Sequence, residues 1–351
     1  MKKRLLLFLL TLLPIVASAD ENGTCGENVT WSFEESTGTL TIKGSGPMTD
    51  YTSSSRVPWY ASYNKEITTV VIEEGVTSIG ECAFNNCQKI ASVTIPSTVT
   101  SIGSYSFRYC PCITTISIPN GVTSIGSQVF EGCEKLSSIV IPNSVKSIGS
   151  HAFEYCSNLS SVSINTETIG SWFRDISSIK EVTIGDNVSD IGENAFYCCT
   201  GISSISLPNN VTSIGKCSFY GCTSLLSISM SKSLTNIGEL AFGSCYQLSS
   251  MTIPSSVTSI GNSAFSGCSS LASVNIQIND LASFCNNTIV YYLNKPVCLL
   301  NNEDKEIKNL NIPEGVTSIG NFAFSGCSGL SSISIPNSVT SIGQYAFADC
   351  I

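Results

Sequence analysis

Charged residues are scarce in this sequence, and histidine is almost absent. Of the 351 residues only 12% are charged, and there is one histidine, His151, which we expect at the surface. That charged fraction is about half the usual share. None of the patterns H-E-x-x-H, G-x-S-x-G or G-x-x-x-x-G-K-[ST] occurs. These absences remove most acid–base and metal chemistry, so we predict no enzymatic activity, no catalytic residue, no cofactor and no metal site.

Positive charge is also sparse. The formal net charge is −9, and Lys2, Lys3 and Arg4 lie in a segment that we expect to be removed. Without these three of the 17 basic residues, 14 remain against 26 acidic ones, which leaves a net charge of −12. A chain without a basic block lacks the attraction that drives binding to phosphate backbones, so nucleic acid is not an expected partner.

Long apolar runs are missing after the first residues. The stretch 1–19 has a basic start, an apolar run from Leu5 to Leu13, and a small-residue end before Asp20, as secretory signal sequences do. A retained anchor helix is the alternative, but the apolar run is shorter than the ~20 residues that a span needs. We therefore predict a cleaved signal peptide, no transmembrane span in the mature chain, and a secreted or cell-surface location.

A period of 23 residues dominates the rest of the chain. A glycine that follows isoleucine recurs at this step at Gly80, Gly103, Gly126 and Gly149. One aromatic position keeps nearly the same step and is occupied by Phe84, Phe107, Phe130, Phe153, Phe173, Phe196, Phe219, Phe242, Phe265, Phe324 and Phe347. A fixed period of this length is typical of a solenoid, in which each coil buries its apolar face against its neighbours.

Each repeat predicts one strand and one return segment. The stretch L-S-S-I-x-I-P alternates apolar and small polar residues, as a half-buried strand does, and the proline ends it. We expect the repeat glycine to turn the chain at positive φ, and A-F-x-x-C to return through a helical or 3₁₀ turn. About 12–13 stacked rungs, of which twelve are clear, would form a parallel sheet and a rod roughly 55–60 Å long.

The repeat resembles the leucine-rich repeat, and more narrowly its BspA-type variant from exported surface proteins. The residues that carry the resemblance follow I-P-x-x-V-x-x-I-G-x-x-A-F-x-x-C-x-x-L, as in Ile118, Gly126, Phe130, Cys133 and Leu136. The resemblance covers about residues 67–351. It implies a repeat solenoid of the α/β class, mostly β with short helical turns. It also implies cell-surface attachment and contact with host proteins of the extracellular matrix.

The segment before the repeats predicts an N-terminal β-hairpin cap. The stretches WSFEE and TLTIK read as two strands joined through residues 36–38, and solenoid ends need a cover. We expect Pro58, Trp59 and Tyr60 to pack the joint. The predicted domains are thus the signal peptide at 1–19, the cap at 20–64, and the solenoid at 65–351.

Two irregularities and the chain end interrupt the period. The coil at 165–184 is three residues short, and Trp172 replaces its alanine, either filling the mismatch in the core or contacting a ligand. An irregular insert occupies about 277–311, with an extra rung at 297–299, a polar turn after it, and Tyr291 and Tyr292 in a loop before it. Such loops carry function more often than repeats do, although packing of this aromatic pair is an equal alternative. The last coil ends at Cys350-Ile351, and we expect further sequence or a partner to cover it.

Seventeen cysteines in an exported chain raise the question of disulfides. Ten of them share one position in successive coils, so we interpret them as buried, reduced thiols that act as small apolar side chains. Pairing remains open for Cys82, Cys112, Cys198 and Cys217 with neighbours, and for Cys285 with Cys298. The absence of C-x-x-C argues against a zinc knuckle or a thioredoxin-type site.

The outward residue of each strand forms the candidate binding site. It is mostly a short polar side chain, and we name this row the sheet-face row. We expect binding of protein or glycoprotein partners, with avidity along the rod, so the chain would act as an adhesin or interaction scaffold. The alternatives are a structural spacer of the cell envelope, and a carbohydrate-binding module, for which the row lacks aromatic platforms. The candidate binding residues are Thr94, Ser117, Ser163, Thr183, Ser206, Ser229, Thr252 and Asn275, with Tyr291 and Tyr292 in the insert.

Overall fold

The computed structural model describes residues 21–286, 289–293 and 295–350. Within this range the chain winds, after its N-terminal strands, into about twelve similar coils that stack through parallel strands. The predicted repeat solenoid is therefore confirmed. The predicted signal peptide at 1–19 lies outside the described residues.

One strand in nearly every coil builds the predicted parallel ladder, and the coil at Thr115 contributes a single bridge. In Ser161–Ile164 the first and third side chains are half-exposed and the second and fourth are buried. Ile164 pairs with Ile141 of the preceding coil and with Ile184 of the following one, so the apolar side chains stack in register. In the described residues this ladder comprises Thr69–Ile72, Ser92–Thr94, Ser138–Ile141, Ser161–Ile164, Glu181–Ile184, Ser204–Ser206, Ser227–Ser229, Thr252–Ile253, Val274–Gln277, Val297–Leu300, Asn309–Asn311 and Ser332–Ser334.

A second parallel ladder, which the sequence did not predict, runs just before the repeat glycines. Its strands are mostly two residues long, and their isoleucines pair in register, as Ile214 does with Ile191 and Ile237. In the described residues it comprises Gly46–Pro47, Val76–Ile79, Ser101–Ile102, Ser124–Ile125, Ser147–Ile148, Thr168–Ile169, Asp190–Ile191, Ser213–Ile214, Asn236–Ile237, Ser259–Ile260, Ser318–Ile319 and Ser341–Ile342.

The segment from the repeat glycine to the repeat cysteine forms what we name the turn side. Here backbone N–H groups donate to the next coil: Phe84 N to the carbonyl of Ser106 at 2.8 Å, and Phe107 N to that of Val129 at 3.1 Å. These hydrogen bonds add a third backbone ladder to the two sheets. Most coils are thus tied to their neighbours on more than one side, which satisfies polar backbone groups that the stack would otherwise bury.

Left-handed residues produce the turn side. In one coil Leu240 has φ 54° and Ser244 has φ 57°, and most of the other coils also carry two residues with positive φ. Alternation of right- and left-handed residues aims the N–H groups along the stack, which a helix would not do. The expected helical turn is therefore wrong for most coils, and a 3₁₀ helix is present at Ser171–Phe173 in the short coil.

The repeat glycine is required by close stacking and not by positive φ, contrary to the expectation from sequence. Gly103 and Gly215 are not in the left-handed region. A Cβ at Gly103 would lie 2.6 Å from the backbone nitrogen of Glu81, and one at Gly215 would lie 2.8 Å from that of Glu193. Adjacent coils approach so closely here that no side chain fits between them.

Replacing Ser244 by glycine is expected to stabilise the protein by about 0.5–1 kcal/mol. An L-residue with positive φ costs about 1–2 kcal/mol, and this gain exceeds the extra entropy that glycine loses on folding. Gly221 and Gly267 already occupy the equivalent position, with φ 71° and 77°. Urea unfolding would measure the change. Ser249→Gly, at a position without positive φ, is the control and should be destabilising; a destabilised Ser244→Gly would contradict the argument.

The phenylalanine column forms the centre of the core. From Phe84 to Phe265 consecutive rings stack with centroids 5.1–6.0 Å apart and with planes within 17° of each other. All nine side chains in this run are less than 2% exposed. The chain thus has one continuous apolar interior rather than separate globules.

The N-terminal strands continue the first ladder and cover its open end. Val29–Glu34 and Thr39–Gly44 form the predicted hairpin, and the latter pairs in parallel with Thr69–Ile72. A third strand, Glu21–Thr24, was not predicted. A 3₁₀ helix at Ser54–Arg56 and an α-helix at Tyr60–Tyr63 follow the hairpin.

Trp59 joins these strands to the coils. It is fully buried, its indole stacks on Phe84 at 5.6 Å and meets Trp31 edge-on at 5.9 Å, and its Nε1 donates to the carbonyl of Ala83. The predicted role of Trp59 in packing the joint agrees with these contacts. Pro58, by contrast, is exposed.

The insert keeps the period of the first ladder. Val297–Leu300 pairs with Val274–Gln277 so that Leu299 lies beside Ile276, as predicted from their spacing of 23 residues. The polar turn after it is a short hairpin, since Asn301 N donates to the Lys305 carbonyl at 2.9 Å. An α-helix, Leu281–Phe284, and a 3₁₀ helix, Ile289–Tyr292, occupy the predicted loop. None of the helices in the described residues is long and apolar enough to cross a bilayer.

Candidate functional site: the sheet face and the groove at the short coil

The structure places the predicted binding residues of the coils in one outward row. Ser163 pairs with Thr183, Ser206 with Ser229, and Thr252 with Asn275 in the register of the first ladder. Thr94 pairs with Val71, and Ser117 lies two residues after Thr115, which bridges Ser138. All eight side chains are exposed or half-exposed. The sheet-face row is thus a series of outward side chains carried on several parallel sheets, with rungs about 4.8 Å apart where the strands pair.

The chemistry of this row is uniform. Its side chains are mainly hydroxyl and amide groups, and Glu181 is the one charged outward residue of the first ladder from residue 69 onward, among the described strands. Val140, which is 60% exposed, interrupts the polar ribbon. Short hydroxyl side chains lose little entropy when a partner orders them, but they do not provide the aromatic or arginine anchors of tight interfaces. The row suits many weak contacts along its length.

The predicted insert site can be placed only by its backbone. Tyr291 and Tyr292 belong to the 3₁₀ helix Ile289–Tyr292, and their side chains lie outside the described part of the structure. Their proposed role in binding stays a prediction.

A groove of about 660 Å³ lies on the turn side at the short coil. It opens between the segments 150–157 and 171–178, where the missing residues leave the short coil unable to fill the space beside its longer neighbour. Trp172 lines the groove and is only half-buried, with its ring edge-on to Phe173 at 6.4 Å. The expectation that this position points into the core holds in part for Trp172, which packs against the edge of the core and also lines the groove.

Paired charges surround this groove. His151 Nδ1 lies 3.0 Å from Glu154 Oε2, and Arg174 Nε lies 3.0 Å from Asp175 Oδ2. The Arg174 guanidinium also stacks on the ring of Tyr197, 4.6 Å from its centroid. These charged residues were not expected from the sequence to form a site. The three-residue deletion and the substitution of alanine by tryptophan were the signals that could have led to it.

A second polar cluster on the turn side is internally satisfied. Glu131 is 2% exposed, and its carboxylate accepts hydrogen bonds from Arg108 Nε at 2.8 Å and from the Tyr109 hydroxyl at 2.9 Å. Burial disfavours the charged form of Glu131, but the hydrogen bonds from Arg108 and Tyr109 outweigh it and lower the pKa of this carboxyl. A buried carboxylate held by such partners ties two coils together, and we assign it a structural role.

The cysteines that share one position in successive coils, which we name the column thiols, are hydrogen-bond donors as well as apolar side chains. Cys133 Sγ lies 3.2 Å from the Phe107 carbonyl, and Cys222 Sγ lies 3.2 Å from that of Phe196, an arrangement that recurs along the column. Burial raises the pKa of the Cys133 thiol to about 12. A thiol with so high a pKa is a poor nucleophile at neutral pH.

All seventeen cysteines are free thiols, so the disulfides left open from the sequence are absent. Cys285 is buried, whereas Cys298 takes the outward position beside Asn275, so their side chains lie on opposite sides of the sheet. The off-column residues Cys82, Cys112, Cys198 and Cys217 are likewise unpaired. Among residues 21–286, 289–293 and 295–350, no group of three or more histidine, cysteine or acidic side chains is placed to hold a metal ion.

The repeats match a known family over most of the chain. The profile of the BspA type leucine rich repeat region matches six copies, at residues 55–173, 167–291 and 301–351. The chain belongs to the BspA-type leucine-rich repeat family. Leucine-rich repeat proteins with this fold are generally non-enzymatic and generally mediate protein interactions. No curated protein matches the chain.

Solved leucine-rich repeat proteins from bacteria are similar to this BspA-type chain. A leucine-rich repeat protein from Eubacterium ventriosum is 24% identical, with 95% of this chain and 96% of that one covered and a TM-score of 0.48. One from Bacteroides ovatus is 26% identical, with 93% and 92% covered and a TM-score of 0.46. A leucine rich cell surface protein from Faecalibacterium prausnitzii is 24% identical, with 91% and 96% covered and a TM-score of 0.34.

Proposed function

We propose that this BspA-type protein is exported, has no enzymatic activity, and acts at the cell surface as an adhesin or interaction scaffold. Its sheet-face row would bind host or extracellular macromolecules, such as proteins and glycoproteins of the extracellular matrix. Family membership supports this proposal, because BspA-type proteins are typically surface-exposed.

The observation that carries the proposal is the in-register sheet-face row. It is long, exposed, nearly uncharged and formed by rigidly held strands, so an extended partner can meet the same chemistry on successive coils. Each contact with a hydroxyl or amide group is weak, but contacts on several rungs act together once the first has formed. Binding of this kind depends on the short, neutral side chains of the row.

Three glutamates on the sheet face are expected to weaken such binding at least about tenfold. Ser206→Glu, Ser229→Glu and Thr252→Glu together place larger side chains of like charge on neighbouring rungs. A partner that fits short neutral side chains would bind this surface with lower affinity. The purified mature protein would be measured against an array of matrix proteins and glycans at physiological salt, followed by titration of each bound partner.

The control carries the same charge change on the opposite side of the coils. Asn262→Glu and Ser266→Glu lie on the turn side and Gln247→Glu lies just after a repeat cysteine; all three positions are exposed, and the changes should leave both binding and thermal unfolding unchanged. If the sheet-face variant binds as the wild type does, the contact lies elsewhere, and the 291–292 segment of the insert becomes the next surface to test. If the wild type binds nothing on the array, a structural spacer is the better account.

A further inference from the structure

The groove at the short coil combines an open cavity with aromatic and charged side chains. The coil at 165–184 has lost three residues, and the space beside residues 150–157 is left open to solvent with a volume of about 660 Å³. Binding sites for small molecules have volumes of about 300–1,000 Å³. The groove is therefore large enough for a ligand of one or two sugar-sized rings.

Aromatic side chains line this groove. Trp172 stands where neighbouring coils have Ala152 and Ala195, both fully buried, and it is half-exposed instead. Tyr155, on the facing segment, is 64% exposed. Large aromatic side chains that keep this much contact with water are available to pack against the apolar face of a ligand while their polar atoms stay wet.

Both carboxylates of the groove are paired with a neighbouring nitrogen. The groove holds one guanidinium, from Arg174, and two carboxylates, from Glu154 and Asp175, each of which already has a basic partner at 3.0 Å. An anionic ligand would meet two carboxylates, and a cationic one would compete with Arg174 for Asp175 and with His151 for Glu154. The serines that complete the lining both donate and accept hydrogen bonds. They are Ser150, Ser157, Ser171, Ser177 and Ser178.

We propose that this groove binds a neutral saccharide, of the size of a hexose or a disaccharide. The C–H face of a pyranose ring is apolar and packs on an aromatic ring such as Trp172, while its hydroxyls both donate and accept. Oriented charged groups, as in Arg174 and Asp175, can make two hydrogen bonds to adjacent hydroxyls. The site lies on the turn side, so it is separate from the sheet-face row and does not depend on the function proposed for it.

Trp172 provides a local probe of this proposal. The other two tryptophans, Trp31 and Trp59, are 5% and 0% exposed, so acrylamide quenching of the fluorescence reports mainly on Trp172. The folded protein would be titrated with glucose, galactose, maltose, lactose, cellobiose and N-acetyllactosamine. At least one of these sugars is expected to protect the fluorescence from acrylamide and to show saturation-transfer NMR signals from its ring protons.

Trp172→Ala is expected to weaken binding at least about tenfold by the NMR measurement. The variant should fold, because alanine occupies the equivalent position in most coils. Tyr246→Ala is the matched control, since Tyr246 is 51% exposed just after a repeat cysteine but does not line the groove, and the variant should bind as the wild type does. The triple sheet-face variant should also retain sugar binding, even if it loses every macromolecular partner.

Two results would overturn the proposal. One is the absence of any response to all six sugars, or a response that Trp172→Ala retains in full. The other is Trp172-dependent binding of a charged probe, such as a sulfated disaccharide or a lysine-rich peptide, without binding of any neutral sugar.

Discussion

Raising the pH above about 9 is expected to unfold this protein over a narrow range. Nine column thiols are buried in the core, and burial raises the pKa of each of them above the ordinary value of about 8.5. The pKa is raised for every one of these thiols, and for Cys87 and Cys199 it reaches about 12. These thiols are Cys87, Cys110, Cys133, Cys156, Cys199, Cys222, Cys245, Cys268 and Cys327.

The sign of the effect follows from the raised pKa. Below about pH 8.5 the thiols are protonated in both states, and the stability of the fold is intact. Above this value the unfolded chain loses protons that the folded chain keeps, so the free energy of unfolding falls until the pH passes the raised pKa values of the folded thiols. Each thiol contributes a slope that approaches about 1.4 kcal/mol per pH unit, and nine together approach roughly 12 kcal/mol per pH unit.

Urea unfolding at intervals from pH 7 to 9.5, with a reductant present, would measure this slope below the range where tyrosine and lysine titrate. Replacing Cys133 and Cys156 together by alanine should lower the limiting slope by about 3 kcal/mol per pH unit, although the cavities reduce stability at every pH. A free energy of unfolding that stays constant up to pH 9.5 would show that the column thiols titrate in the folded protein.

The second large effect that we expect is a loss of stability when one ring is removed from the phenylalanine column. Phe219 lies between Phe196 at 5.5 Å and Phe242 at 5.4 Å and is fully buried. Truncation of a core aromatic residue to alanine costs about 3–5 kcal/mol. Because each coil contacts only its neighbours, the loss weakens both interfaces of one coil, and the two parts of the rod are expected to unfold in separate steps.

Calorimetry and urea unfolding would follow both consequences of Phe219→Ala. Phe347→Ala is the control, because Phe347 is only partly buried and stacks on Phe324 at 5.4 Å near the end of the described coils. It should cost less than half as much and leave the wild-type unfolding profile intact. A cost below about 1 kcal/mol for Phe219→Ala would mean that the column does not hold the stack together.

The sequence was sufficient to predict the columns of the core. Residues such as Phe219 and Ile164 recur at one period and one position, and a side chain repeated in this way can be buried in every coil only if the coils stack. The outward position of Ser206 and Ser229 followed from the same alternation. These predictions needed no knowledge of the loop geometry, since they depend on the hydrophobic period alone.

The turn side could not be predicted in the same way. Its left-handed positions are occupied by residues as different as Leu240, Tyr155 and Gly221, so residue type does not reveal the backbone conformation. The two-residue strands of the second ladder are too short to show an alternating pattern. The orientation of Trp172 depends on how a coil with three missing residues is fitted against its neighbours, and that is a property of the packed stack.

The three backbone ladders have a consequence for how such chains change in length. Adjacent coils meet through almost the same surfaces. A glycine such as Gly215 lies against the backbone of the preceding coil, and a thiol such as that of Cys222 donates a hydrogen bond to the Phe196 carbonyl of that coil. Recombination between homologous segments of a gene can therefore add or delete a whole unit of 23 residues and still leave complementary surfaces at the new junction. A deletion that does not remove a whole unit would leave a gap, and the groove beside the short coil is a gap of this kind on the exterior.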